Sequence, residues 1–443
     1  AVVADHDVGR LEVAVEQALA VGVGDGLADI HEVPEQLAEG EVARAAPLAG
    51  LLGVEIGQEV ADLAERRLDI QGLRAVAVLL VIAAHAGITH FEAGFIGVDI
   101  FFVISGYVIT GLLQRQPPRA VRANLRHFYI RRILRIVPAA TVTLVATVIA
   151  AYALLGTAFN PSLLEDVRAA AQFSANFRLI STSSDYFMVG VDPSLVTHFW
   201  SLAIEEQFYF VYPLIVFALT WLAPIERRTQ VLRGFLLLVV ILSAVYSAMS
   251  TPLDPVVAYY SPLTRFWELA LGGLMVTLPE NWRSPYPRVS LTASWLAAAA
   301  LGWSLVVITP TGFPGTAAWL PCAATAVLLR AGHSIPGQGI AKILSATPLR
   351  YIGDISYSLY LWHFVWLMLP KQISAIEISA NTLALSIAGT FACAAASYHW
   401  LENPIRHSKK LQNDGLATTL LLLVALAISV DTTIVVESLW LNR

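Results

Sequence analysis

The sequence predicts an all-α fold, a polytopic integral-membrane helix bundle, and three observations carry that prediction. Of 443 residues, 56% are hydrophobic and only 14% charged, against about 45–50% apolar and about 25% charged in soluble domains. A mean hydropathy of +0.64 excludes an ordinary soluble enzyme, and 11 Trp, 14 Tyr and 18 Phe exclude a disordered chain. Apolar stretches of the roughly 20 residues needed to cross a bilayer core about 30 Å thick recur eleven times. They fall at 68–87, 95–113, 138–156, 199–222, 233–250, 262–279, 290–308, 314–330, 351–370, 380–402 and 415–437. Ten of them make a core, and the eleventh is a further C-terminal span.

Ahead of the first span, residues 1–66 hold 14 acidic residues against three Arg and no aromatic residue, a formal −11 that leaves +6 for the rest. Nothing there can build a core, and no basic start followed by an apolar run marks a secretory signal. The segment is expected to be disordered or to be an out-of-frame product of the gene model. The chain thus divides into an acidic extension (1–66), a membrane domain (67–407), and a linker with the last span (408–443).

Basic residues orient the spans, because short cytoplasmic loops collect Lys and Arg. Segment 114–137 carries Arg115, Arg119, Arg122, Arg126, Arg131, Arg132 and Arg135 with no acidic residue, and is placed in the cytoplasm. Loops with Arg227, Arg228 and Arg233, with His333, Lys342 and Arg350, and with Arg406, Lys409 and Lys410 then fall on the same side. Loop 251–261, with Asp254 and no basic residue, falls outside. The alternation requires 163–180, with Asp166, Arg168 and Arg178, to lie on the surface or re-enter rather than span. The N-terminus is expected inside and the C-terminus outside, in a plasma membrane.

Ionisable groups within spans mark function by default. The first span carries Arg74 in its inner half and His85 near its outer end, about 17 Å apart on a helix. Asp99 enters the second span from outside, in the layer of His85. A carboxylate beside an imidazole fixes its tautomer and raises its basicity, as a general base requires. The fourth span descends from His198 through Glu205, Glu206 and Tyr209. Adjacent carboxylates point about 100° apart on a helix, so one can face the cavity while the other pairs or caps. Arg265 and Glu268, at i and i+3, are expected to be a structural pair. Ser356, Tyr357, Tyr360 and Trp362 lie at helical spacing and read as packing, with His363 as the exception. Arg132 and Arg135, one turn apart before Pro138, are the arginines best placed to hold a phosphate.

No phosphate loop, HExxH or GxSxG motif is present. Cys322 and Cys393 each lie in an apolar run, so neither a disulfide framework nor a thiolate metal site is indicated. No metal ligand set and no nucleic-acid partner are expected.

Five motifs in order carry a resemblance: Leu68-Asp-x-x-Gly-Leu-Arg74 with His85 eleven positions on, Gly97-Val-Asp99-x-Phe-Phe-Val-Ile-Ser105-Gly-Tyr107, Phe128-Tyr-x-Arg131-Arg132-x-x-Arg135-x-x-Pro138, His198-Phe-Trp-Ser-Leu-x-x-Glu205-Glu206-Gln-Phe-Tyr209, and Ile352-Gly-x-Ile-Ser-Tyr-Ser-Leu-Tyr-Leu-Trp-His363. From about 68 to 407 the chain resembles the integral-membrane acyltransferase family of the bacterial O-antigen acetylase type, acyltransferase family three. That resemblance implies transfer of an acyl group, usually acetyl, from acetyl-coenzyme A to a hydroxyl of a cell-surface or secreted carbohydrate. No tightly bound cofactor is implied; acyl-coenzyme A is a co-substrate. Arg74 and His85 match the family's first-span pair, and Arg132 and Arg135 its loop arginines.

The implied reaction has phosphates on Arg132 and Arg135 and the pantetheine arm passing Arg74. His85, oriented by Asp99 or Glu205, acts as base or accepts the acyl group. Tyr209 or Ser105 is the expected oxyanion donor, and His198, Glu206, Tyr209 and His363 are expected to line the acceptor side. Long members add an extracytoplasmic hydrolase-like domain. For this chain the sequence leaves open a short form acting alone, a separate extracytoplasmic partner protein, or truncation. Lipopolysaccharide, exopolysaccharide, peptidoglycan and a secreted glycosylated metabolite fit equally as acceptors. The rival class is a proton-coupled transporter of a small polar substrate, against which stands the lack of an inverted repeat or paired broken helices. A non-catalytic membrane scaffold is the third class.

Overall fold

The computed structural model describes residues 67–114, 121–187, 193–279, 287–373 and 379–442; the acidic extension lies outside these. Every regular element among the described residues is helical. The principal helices are α1 (Leu68–His85), α2 (Gly97–Gln114), α3 (Val121–Leu155), α4 (Ser162–Ala171), α5 (Ala175–Ser181), α6 (Phe199–Leu222), α7 (Arg228–Ser250), α8 (Pro255–Tyr260), α9 (Pro262–Thr277) and α10 (Pro287–Val307). They continue with α11 (Trp319–Ser334), α12 (Ile340–Leu344), α13 (Thr347–Asp354), α14 (Ser356–Ile373), α15 (Ala380–Ser397), α16 (Asn403–Arg406), α17 (Lys409–Asn413) and α18 (Gly415–Leu441).

Eight helical stretches among the described residues are long and apolar enough to cross a membrane. Three of the eleven expected spans take a different form. The 262–279 and 314–330 spans are the 16-residue helices α9 and α11, each only about 24 Å long. The 351–370 span breaks at Ile355 into α13 and α14; α14 carries Ser356, Ser358, His363, Lys371 and Gln372, which lower its hydropathy. The arginine-rich stretch expected as a loop is also different. Most of it is the first half of α3, a continuous 35-residue helix with Pro138 inside, about 52 Å long and so longer than a bilayer core is thick. Segment 163–180 forms α4 and α5, of 10 and 7 residues, too short to span.

Exposed apolar side chains confirm the solvent. Leu237, Leu238, Ile241, Leu242 and Val245 on α7, Trp295, Leu296 and Trp303 on α10, and Leu420, Leu423, Val424 and Ile428 on α18 all lie on the surface. Such continuous apolar faces suit lipid rather than water.

Two buried clusters flank α1. Leu73, Ala77 and Val81 face a core shared with α2, α6, α7, α9 and α11, whereas Val78 and Ile82 face one shared with α3, α4, α14 and α15. Within lipid, close approach of helices depends on small residues. A Cβ on Gly106 of α2 would meet the Leu269 carbonyl oxygen at 1.7 Å, and one on Gly272 of α9 would meet the Val103 carbonyl oxygen at 1.9 Å. These two glycines therefore press α2 and α9 backbone to backbone. That contact decides where Asp99 points.

Candidate active site

On α1, Arg74 and His85 are eleven residues apart, which leaves them about 20° apart around the helix. They form one stripe with a different environment at each end.

At the Arg74 end is a cavity of about 90 Å³ whose lining includes Arg74, Arg132, Arg135, Ser105, Glu205, Tyr209, Phe101, Ser201 and Tyr360. Arg74 Nε donates to Ser356 Oγ at 3.2 Å. Arg132 Nη2 bonds Glu206 Oε1 at 2.8 Å, and its guanidinium carbon lies 3.7 Å from the Tyr209 ring centroid. Glu205 Oε1 accepts from Ser105 Oγ at 2.5 Å and from Tyr209 Oη at 2.6 Å, with Arg132 Nη2 at 4.0 Å. The buried Nε of Arg135 has no hydrogen-bond partner. Three guanidinium groups line this cavity with one carboxylate, Glu205, which makes it an anion-attracting chamber, and Arg74 and Arg135 are less committed than Arg132, which is paired to Glu206.

At the other end, three histidines from three helical regions meet. His85 Nδ1 lies 2.9 Å from the Val81 carbonyl oxygen. A carbonyl only accepts, so Nδ1 carries the proton and Nε2 keeps a lone pair. That lone pair faces Tyr186 Oη at 2.7 Å. Burial holds the Tyr186 phenol well above its ordinary value, so it stays protonated and donates. His363 follows the same pattern, with Nδ1 on the Tyr360 carbonyl at 2.7 Å. His198 Nε2 lies 3.2 Å from the Leu361 carbonyl. The rings of His85 and His363 lie 5.2 Å apart and those of His363 and His198 5.4 Å. The remaining nitrogens, His363 Nε2 and His198 Nδ1, are buried without a partner. Lys371 Nζ donates to the His85 carbonyl at 3.0 Å.

Several expected placements are corrected by this geometry. Neither Asp99 nor Glu205 orients His85; the carbonyl of Val81, one turn back on its own helix, does. Glu205 and Tyr209 line the arginine cavity and Glu206 pairs with Arg132 beside it, away from an acceptor site with His85. Ser105 and Tyr209 are both spent on Glu205, and so are not free as oxyanion donors. Asp99, fully buried, faces α9 across the glycine contact and bonds Arg265 Nη2 at 3.0 Å, while Arg265 Nε lies 3.0 Å from Glu268 Oε1. The i, i+3 pair expected at Arg265 and Glu268 is thus a triad. Its carboxylates and the Cys322 sulfur lie within 4.8 Å of one another, a grouping of potential metal ligands, with the Arg265 guanidinium beside both carboxylates. The rings of Phe102, Trp200, Tyr259 and Phe313 surround that guanidinium at 5.5–5.8 Å.

The fold and site define a class: a polytopic helical membrane protein whose first described span joins an arginine-lined cavity to a histidine cluster. The chain belongs to acyltransferase family three, whose model, described as acyltransferase domain, matches residues 67–430. It is 35% identical over 354 residues to the peptidoglycan O-acetyltransferase OatA of Listeria monocytogenes, covering 76% of this chain and 55% of that protein. It is 32% identical over 352 residues to the O-acetyltransferase OatA of Staphylococcus aureus, covering 76% and 57%. The chain spans about half the length of the curated relatives it matches. No solved structure matches it.

Proposed function

We propose that the chain is a transmembrane O-acetyltransferase that moves an acetyl group from cytoplasmic acetyl-coenzyme A to a hydroxyl of peptidoglycan or a related cell-envelope carbohydrate. One observation carries this reading: α1 alone places Arg74 in an anion-attracting cavity and His85, whose unprotonated Nε2 accepts from Tyr186, in a second site on the same stripe. The names of the relatives favour acetyl as the acyl group and peptidoglycan as the acceptor. The chain sits in the bacterial plasma membrane with the arginine cavity towards the cytoplasm.

In this reading Arg74 and Arg135 hold the donor's phosphates and arm, and Arg132 stays paired to Glu206 as a support. The acceptor hydroxyl displaces Tyr186 Oη from His85 Nε2. Its proton passes to Nε2 as its oxygen attacks the thioester carbonyl; the carbon–sulfur bond breaks, and the thiolate leaves and takes up a proton. The proton held on Nδ1 by Val81 keeps the imidazole in the tautomer this step needs. His198 and His363 offer two further lone pairs, an all-acceptor surface suited to the O–H donors of a sugar.

The test supplies purified protein in proteoliposomes with coenzyme A carrying a labelled acetyl group and with peptidoglycan fragments. Label on the glycan supports the proposal. Sugar crossing the bilayer without acquiring label favours proton-coupled transport instead.

A further inference from the structure

We propose that Tyr360 is the wall that restricts the donor to short acyl groups. The inference rests on the donor reading above and deepens it, because it names what the cavity admits. Tyr360 lines the arginine cavity on one side. On the other its ring lies 5.6 Å from His198 and 5.3 Å from His363, and His363 in turn packs on His85. The same side chain therefore touches both chambers that a thioester has to connect.

The ring is fixed. Its hydroxyl donates to the His198 carbonyl at 2.8 Å and accepts from Ser201 Oγ at 2.6 Å, tying α14 to the start of α6. Phe101 of α2 braces it, with ring centroids 6.4 Å apart. A thioester arriving past Arg74 brings its acyl end against this ring. Acetyl has one methyl beyond the carbonyl, whereas butyryl has two further methylenes, and in this reading those methylenes run into the ring of Tyr360 where it lines the cavity. One methylene in an apolar pocket changes discrimination by roughly 10–200-fold, so the wild-type protein is expected to prefer acetyl over butyryl by at least about tenfold.

The experiment compares acetyl- and butyryl-coenzyme A as donors for the wild type, Tyr360→Ala and Tyr360→Phe. Tyr360→Ala should raise the butyryl-to-acetyl ratio of kcat/KM at least about tenfold. Tyr360→Phe keeps the ring while losing both hydrogen bonds, and should hold the ratio within about threefold of wild type. If Tyr360→Ala does not accumulate in the membrane, Tyr360→Val is read in the same way. A wild type that transfers acetyl while the truncated variants leave the ratio unchanged overturns the wall alone. A wild type that uses neither thioester overturns the donor reading, and the wall with it.

Discussion

Replacing Arg265 by Met tests whether Asp99 belongs to the fold or to the chemistry. The wild-type triad is wholly buried, with Asp99, Arg265 and Glu268 each at 0% exposure and both ion pairs at 3.0 Å. Removing the cation strands two carboxylates in an apolar interior, and breaking a buried pair in this way costs about 3–5 kcal/mol. With an unfolding entropy of about 2.1 cal/mol/K per residue across the unit Arg67–Arg443, that cost lowers the melting midpoint by at least about 4 °C. Combining Arg265→Met with Asp99→Asn and Glu268→Gln removes the stranded charge and should recover much of the loss, because groups in one network are not additive. The assay is thermal unfolding in detergent alongside acetyl transfer. An unshifted midpoint in Arg265→Met refutes the structural argument. A triple variant that is stable but wholly inactive refutes the assignment of Asp99 to structure.

Two further outcomes follow from the site. Arg135→Ala should raise KM for acetyl-coenzyme A by about 10- to 150-fold with little change in melting midpoint, since loss of a charge-assisted contact is worth about 1.5–3 kcal/mol; an unchanged KM removes Arg135 from donor binding. Tyr186→Phe keeps the stack on Tyr259, at 4.9 Å, and frees His85 Nε2. Acetyl transfer should stay within about tenfold of wild type, and a loss as deep as that of a His85 variant would make the phenol a chemical participant.

The stripe formed by Arg74 and His85 was legible in the sequence because eleven residues close on about three turns, and the pairing of Arg132 with Arg135 because three residues close on one. The partner of Asp99 was not legible. An aspartate in the first turn of α2 can face α1 or α9, and the choice is made by Gly106 against Leu269 and Gly272 against Val103, contacts between residues more than 160 positions apart. The three-histidine cluster depends on the same kind of distance, since His198 and His363 meet only through the packing of α14 on the start of α6. Val81 as the group orienting His85 had a signal, a carbonyl four residues back that an imidazole at a helix end can reach. Tyr186 had none, being one tyrosine in a loop without period.

The most direct test of the central claim is acetyl transfer by His85→Ala in proteoliposomes, with the arginine cavity left intact. The variant should still bind acetyl-coenzyme A with near wild-type affinity, while transfer to glycan falls by about 10²–10⁴-fold, the range for loss of a general base. Transfer at the wild-type rate would rule out His85 as the base.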